Sequence, residues 1–490
     1  MRYLRGRNRA LFGLPAVLAA LLMVAAACSD GGKTSIPEPT ATPSAIPSAT
    51  PSPAPETTPT PLPPTSTPTA TQTPEPTPTF APAAVILPTD VVHFGTATPM
   101  AGDPRDRELD AIEYRVNIIR ELSSKRPVER EFFDRDELGD LLLELFEEDR
   151  EEILEDQKLY STIGILPKGT DLFDLLLGLY GEGVLGLYRA EEEKFYIVQE
   201  GEELDAEQRR TYVHEFVHAL QQQHFDFQAA FDAVEDNSDA LTAISALVEG
   251  DARLAETVYT FEHMTEAERQ ASQGTASQEL IVAFQSAPAV IQRRFLFPYV
   301  EGVQFTLSLY QAFGFNAVDA AFANLPLSTE QILHPEKYVT PDLPVTVEVP
   351  DFTAALGEGW TLVREDTFGE FMLQAYLGAA VPPITAQDAA AGWGGDSIST
   401  LEGPGGETAV VIAIVWDTEP DAEEFYNTFL DFTTARTGAQ WVDGVPPGAA
   451  SRMALDGQVI FVTGAGTSTL VVFAPDDTAV ENVRAALAGG

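Results

Sequence analysis

The sequence predicts an α+β protein: a mainly helical domain with one short β-hairpin, then a smaller α+β domain with an antiparallel sheet. Three observations lead there. Apolar residues recur at helical spacing through residues 103–160 and in long runs after residue 205. Val184 to Val198, VLGLYRAEEEKFYIV, reads as two β-rich runs around a polar tip, a hairpin signal. After about Pro344 the texture changes to β-α-β-β-α, the order of a compact antiparallel α+β unit.

Taken in order, residues 1–27 read as a signal peptide. Four arginines precede an apolar run from Leu11 to Val24 and a string of small residues. The chain's one cysteine, Cys28, follows at once, so no intramolecular disulfide exists. Ala25-Ala26-Ala27-Cys28 resembles the lipobox of bacterial lipoproteins. The resemblance implies cleavage before Cys28 and lipidation of that residue, and two or more acyl chains hold a protein stably on a membrane. No later stretch reaches the apolar length of a bilayer span. The expected location is therefore the cell membrane, lipid-anchored, facing the extracellular or periplasmic side.

Residues 28–86 are dominated by Pro, Thr, Ser and Ala and have almost no large apolar residues with which to build a core. Proline at this density favours polyproline II, so roughly fifty residues reach on the order of 150 Å when extended. This is read as a stalk. The formal charge of −46 excludes nucleic acid as a partner, because a phosphate backbone would be repelled.

Residues 87–345 form the expected helical domain. In Glu137 to Tyr160 the apolar residues Leu138, Leu141, Leu142, Leu145, Phe146, Ile153 and Leu154 lie on one helical stripe, and the acids form the solvated face. Asp134 to Asp140 imitates the start of a calcium loop, but Leu138 and Leu145 occupy ligand positions, so that reading fails. After the hairpin, Asp205 and Gln208 form a capping-box pair that opens a helix. A second helix is expected over 239–260, with more helix through Phe295 to Phe313. Residues 346–490 make the C-terminal domain. In it Gly406 to Asp417 reads as a strand, Glu419 to Arg436 as a helix, Gly457 to Pro475 as a hairpin and Asp476 to Gly489 as a closing helix. Gly392 to Asp396 reads as a tight loop.

The chemistry concentrates in Thr211 to Asp226. His214-Glu215-Phe216-Val217-His218 fits H-E-x-x-H. Imidazoles at i and i+4 of a helix point the same way and reach one metal. Glu215 sits about 100° round the helix, placed to reach a metal-bound water without ligating the metal. Two ligands do not hold zinc, so a third is required, with a fourth position left for water.

With Ala246 to Ala252, ALVEGDA, on the next helix, this stretch resembles the gluzincin class of zinc metallopeptidases. The resemblance covers roughly residues 105–345. It implies a zincin-like fold, a Zn2+ cofactor, and a third ligand from Glu on the downstream helix. Glu249 matches, 31 residues after His218, with Glu256 as the alternative. The hairpin resembles the edge strand along which zincins align an extended peptide. Phe297 to Phe305 and Ser328 to Tyr338 resemble segments that accompany the motif in bacterial secreted proteins. The function implied is a membrane-anchored extracellular zinc metallopeptidase acting on peptide or protein substrates, with Glu215 assisting attack of a zinc-bound water. His334 is the first candidate for stabilising the oxyanion, followed by Tyr299 and Tyr338. Asp251 is a candidate acceptor behind a ligand histidine. His224 is read as structural. The alternatives are a non-catalytic surface lipoprotein, a binding or adhesion module that keeps the zincin fold, and zinc-dependent hydrolysis of a non-peptide bond.

Overall fold

A computed structural model describes residues 104–181, 185–198, 203–272, 278–442, 451–455 and 457–489. The signal peptide, Cys28, the stalk and residues 87–103 of the expected domain lie outside the described residues. Among the described residues the chain is mixed α and β, with helix predominating. None of these helices is long and apolar enough to cross a membrane.

The helical part begins with α1 (Pro104–Arg120) and strand β1 (Glu129–Phe133). Helices α2 (Arg135–Glu148), α3 (Arg150–Thr162) and α4 (Leu172–Gly181) follow. Asp134 caps α2 in a reciprocal capping box with Glu137, which is the structural role of the calcium-like segment. The predicted hairpin is present as β2 (Gly186–Arg189) and β3 (Lys194–Val198). β1 adds in parallel to β3, giving a three-stranded sheet in the order β1-β3-β2, with β2 at an edge.

Helix α5 (Ala206–Phe225) starts at the Asp205–Gln208 capping box. Buried residues run all round it from Thr211 to Gln221, so it is a core helix rather than an amphipathic surface one. Helices α6 (Ser238–His263) and α7 (Ala289–Phe313) pack against each other at two glycines. A Cβ on Gly250 would lie 2.2 Å from the carbonyl oxygen of Gly302, and a Cβ on Gly302 equally close to that of Ala246. Only glycine lets the two backbones approach this closely.

The C-terminal part is a six-stranded, wholly antiparallel sheet in the order β4-β5-β6-β9-β8-β7. Its elements are β4 (Thr361–Asp366), α8 (Gly369–Leu377), β5 (Trp393–Glu402), β6 (Thr408–Trp416), α9 (Glu419–Thr437), β7 (Ser451–Leu455), β8 (Gln458–Ala465), β9 (Ser468–Ala474) and α10 (Asp477–Gly489). Alternation along β6 divides its faces. Val410, Ile412 and Ile414 join the large core shared with the helical part, while Val411 joins a second cluster under α10. The expected boundary at 345/346 falls in an extended segment whose Val345 N–H donates to Gly394 O at 2.7 Å.

Gly392 to Asp396 differs from the expected tight loop. Trp393 begins the long, buried strand β5, with a register shift between Trp393 and Gly395. The three glycines imitate a turn, but Gly395 is needed for packing: a Cβ there would meet Val345 O at 2.1 Å.

Candidate metal centre

Helix α5 carries His214, Glu215 and His218, and α6 carries Glu249 and Glu256. All five are buried, with exposures of 5%, 1%, 0%, 3% and 3%. His214 Nε2 lies 3.1 Å from Glu249 Oε2 and 3.1 Å from His218 Nε2, and His218 Nε2 lies 3.7 Å from Glu249 Oε2. The three atoms thus form a small triangle. Tetrahedral zinc with bonds of about 2.0–2.2 Å needs ligand atoms about 3.3 Å apart. The donor set and its spacing fit that ion.

The opposite side of each imidazole is fixed. Gln221 Nε2 donates to Val248 O and to Asp251 Oδ2, both at 2.9 Å, so its amide oxygen must face His218 Nδ1, at 2.8 Å. That oxygen only accepts, hence Nδ1 carries the proton and the Nε2 lone pair of a neutral His218 points at the triangle. His214 Nδ1 lies 3.2 Å from Glu256 Oε2, which gives the same polarity. Asp251 is held by Arg120, whose Nε lies 2.7 and 3.0 Å from its two oxygens. Arg120 in turn bonds Asp319 at 2.5 Å. A buried chain of polar contacts therefore runs from His218 to the last residue of α1.

Burial and the neighbouring charges shift the groups of the cluster in different directions. Burial opposes charging of His214, but hydrogen bonds to Glu249 and Glu256 and the nearby carboxylates raise it to about 10. Burial raises Glu215 to about 8 and also lifts Glu249 above the ordinary carboxylate range. Glu256 goes the other way. Burial works against its ionisation, but Arg253 above all, then His214 and Arg210, hold it down at about 2. Arg253 lies within 2.6–2.7 Å of both its oxygens.

Glu215 differs from the other carboxylates. Its Oε2 accepts the Tyr188 N–H of β2 at 3.2 Å, while its buried Oε1 has no hydrogen-bond partner. Thr211 Oγ1, one turn earlier on α5, is buried and unpartnered as well. The Leu187–Tyr196 and Arg189–Lys194 pairs flank Tyr188 in the ladder, so the Tyr188 N–H points off the outer edge of β2. That edge faces Glu215.

The remaining predicted residues separate. Glu256 backs His214 instead of joining the triangle. Asp251 acts one residue further out than expected, behind Gln221. His334 is not brought to the cluster: its Nε2 lies 3.0 Å from Glu370 Oε1, and the residue caps two short helices. Tyr338 donates to Asn324 O at 2.7 Å. His224 meets Ser123 O at 2.8 Å. Tyr299 does arrive, its hydroxyl hydrogen-bonding the Glu249 carboxylate. The Gly250–Gly302 contact explains this, because Gly302 lies one turn from Tyr299 on α7. Burial and the Glu249 charge push the Tyr299 hydroxyl well above its usual range, so it stays a donor. Gln221 was missed in the sequence, where it looks like one of three consecutive glutamines.

A cavity of about 120 Å³ reaches Glu249 and Tyr299. Its other walls come from α3, α4, α6 and α7, mostly apolar but with Thr242, Ser245 and Arg294 among them.

Residues 360–484 match the family model described as a domain of unknown function (DUF8575). The match runs from β4 into α10 and leaves the metal cluster outside it. Neither a curated protein nor a solved structure matches the chain.

Proposed function

We propose that the protein is a zinc-dependent peptidase, held on the outer side of a membrane through lipidated Cys28. The observation that carries this reading is the triangle of His214, His218 and Glu249 with Glu215 Oε1 bare beside it. A purely structural zinc site has four protein ligands and no use for an unpartnered buried carboxylate.

Bound zinc would supply Lewis acidity and bring the pKa of a coordinated water towards about 7. The chain's own residues supply the rest. His214, His218 and Glu249 hold the ion, with Gln221 and Glu256 fixing the imidazole tautomers. Glu215 accepts the proton of the attacking water and returns it to the leaving amine. Tyr299 keeps its proton at neutral pH and is the donor for negative charge developing on the carbonyl oxygen. The outward edge of β2 next to Glu215 offers backbone groups to an extended chain.

The test uses the full-length protein. Elemental analysis is expected to give one zinc per chain, with hydrolysis of an unstructured protein that stops on chelation and returns with zinc. Glu215→Gln is expected to keep the zinc and lose the hydrolysis. Absence of zinc from the wild type sinks the metal site. Unchanged hydrolysis by Glu215→Gln sinks the catalytic assignment.

A further inference from the structure

Helix α3 is the outer wall of the cavity beside Glu249, presenting Glu152, Ile153, Asp156 and Tyr160 to it. The C-terminal part grips that helix. Arg364 of β4 places Nη1 3.1 Å from Glu152 Oε1 and 3.2 Å from Asp156 Oδ1. Its Nη2 lies 2.8 Å from Asp366 and 3.1 Å from Ser238 Oγ, the first residue of α6. Asp366 also accepts the Ser238 N–H at 2.7 Å. Further along α3, Lys158 bonds Glu402 at 2.7 Å and Gln458 donates to Thr162 O at 3.0 Å. One largely covered guanidinium of the C-terminal sheet thus ties the cavity's outer wall to the helix that carries Glu249.

The same ion cluster stands between cavities. Asp156 lies 3.6 Å from Arg294 on α7, and both line the cavity beside Glu249. They also line a pocket of about 20 Å³ that reaches Asp366 and Thr367. Those two residues in turn line a cavity of about 560 Å³ between β4, β5 and residues 344–347. The three spaces share walls in series, from the seam of the two parts to the metal cluster.

We propose that Arg364 is a positioning residue of the site: it sets the gap between α3 and α6, and so the passage between the seam cavity and Glu249. The C-terminal sheet is then part of the site's machinery and not an appended module. The proposal rests on the zinc reading for its kinetic arm only. The physical reason is the fork. Glu152 and Asp156 stand one turn apart on one face of α3, and a planar guanidinium spans both while still reaching Ser238. Without it Glu152 and Asp156 lose the cation they share, Asp156 keeping only the longer contact to Arg294, and the wall moves towards solvent. A lysine offers one point charge and restores part of the hold.

The experiment follows zinc itself. Loading and stripping of the full-length protein are timed by stopped flow with a metal indicator and a chelator. Because the ligands are buried, the metal must travel through a passage. Arg364→Met is expected to speed loading and stripping alike, each about tenfold, with Kd within about twofold. Arg364→Lys is expected to fall between. Lys337→Met, which breaks an ion cluster elsewhere, serves as control and leaves both rates unchanged. Unaltered rates in Arg364→Met overturn the proposal. So does faster stripping with a matching loss of affinity, the mark of a merely loosened site. If Arg364→Met does not fold, Glu152→Gln and Asp156→Asn are added to remove the excess negative charge, with the same expectation. A wild type that takes up no zinc overturns the proposed function instead. Amide exchange then decides the present point: Arg364→Met must speed exchange across α3 while β5 and β6 keep their rates, and unchanged exchange in α3 overturns it.

Discussion

Among the described residues, two clusters bring three metal-capable side chains together, and they resolve their charge differently. In the first, His214, His218 and Glu249 converge and are buried throughout. In the second, Glu330, Asp342 and Asp417 converge nearer the surface. There Lys337 Nζ sits 2.7 Å from Glu330, 3.1 Å from Asp342 and 3.1 Å from Asp417, so the protein supplies its own cation. In the first cluster the nearby arginines are spent on Glu256 and Asp251, in the layer behind the imidazoles. Convergence of acids is therefore not a metal site by itself. What separates the two is whether a side chain already occupies the point of convergence.

The predictions test that contrast, from the largest effect down. His218→Ala or Glu249→Ala is expected to abolish stoichiometric zinc by elemental analysis, whereas Asp342→Asn or Asp417→Asn leaves it intact. Zinc retained by the Glu249 variant would mean that another residue is the third ligand. Next, Glu215→Gln is expected to lower kcat by about 10²–10⁴-fold at unchanged zinc content. Removing the support of His218 with Gln221→Leu is expected to weaken zinc binding about 10–100-fold, measured by chelator competition. Equal affinity would reduce Gln221 to a packing residue.

A pH series sharpens the comparison further. In the metal-free state His214 is raised to about 10, so at neutral pH it holds a proton that zinc must displace. A raised pKa favours the protonated form, hence zinc competes worse as pH falls. Apparent affinity is expected to rise about tenfold per pH unit between pH 6 and 8 for each proton released. A flat profile would show that His214 is neutral before the metal arrives. The smallest effect is expected at the second cluster. Lys337→Met should lower Tm by a few degrees, about 1–2 kcal/mol, without altering zinc affinity.

Legibility in the sequence followed the range of the interaction. The cap of α5 is a contact over three residues, and Asp205 with Gln208 announced it. His214 and His218 are four residues apart on one helix, so their common direction was also readable. The hairpin, α9 and α10 followed from periodicity, and so did β6. Strands β1 and β4 were not readable, because each depends on a partner far away in the chain. β5 was hidden by its glycines, whose role became visible only beside Val345.

The division between the two sources is therefore physical. The sequence by itself determined which helix carries the histidines and that Glu215 stands beside them, while an acid on the next helix was what the resemblance to gluzincins implied. Only the tertiary structure separated the two acids, since Glu249 and Glu256 lie two turns apart and differ in what packs around them. Arg253 and Arg210 take Glu256 into an ion pair, and the Gly250–Gly302 contact brings Tyr299 to Glu249. Those choices depend on backbone approach between helices and on long side chains crossing from other elements. Neither leaves a periodic mark in the order of the residues.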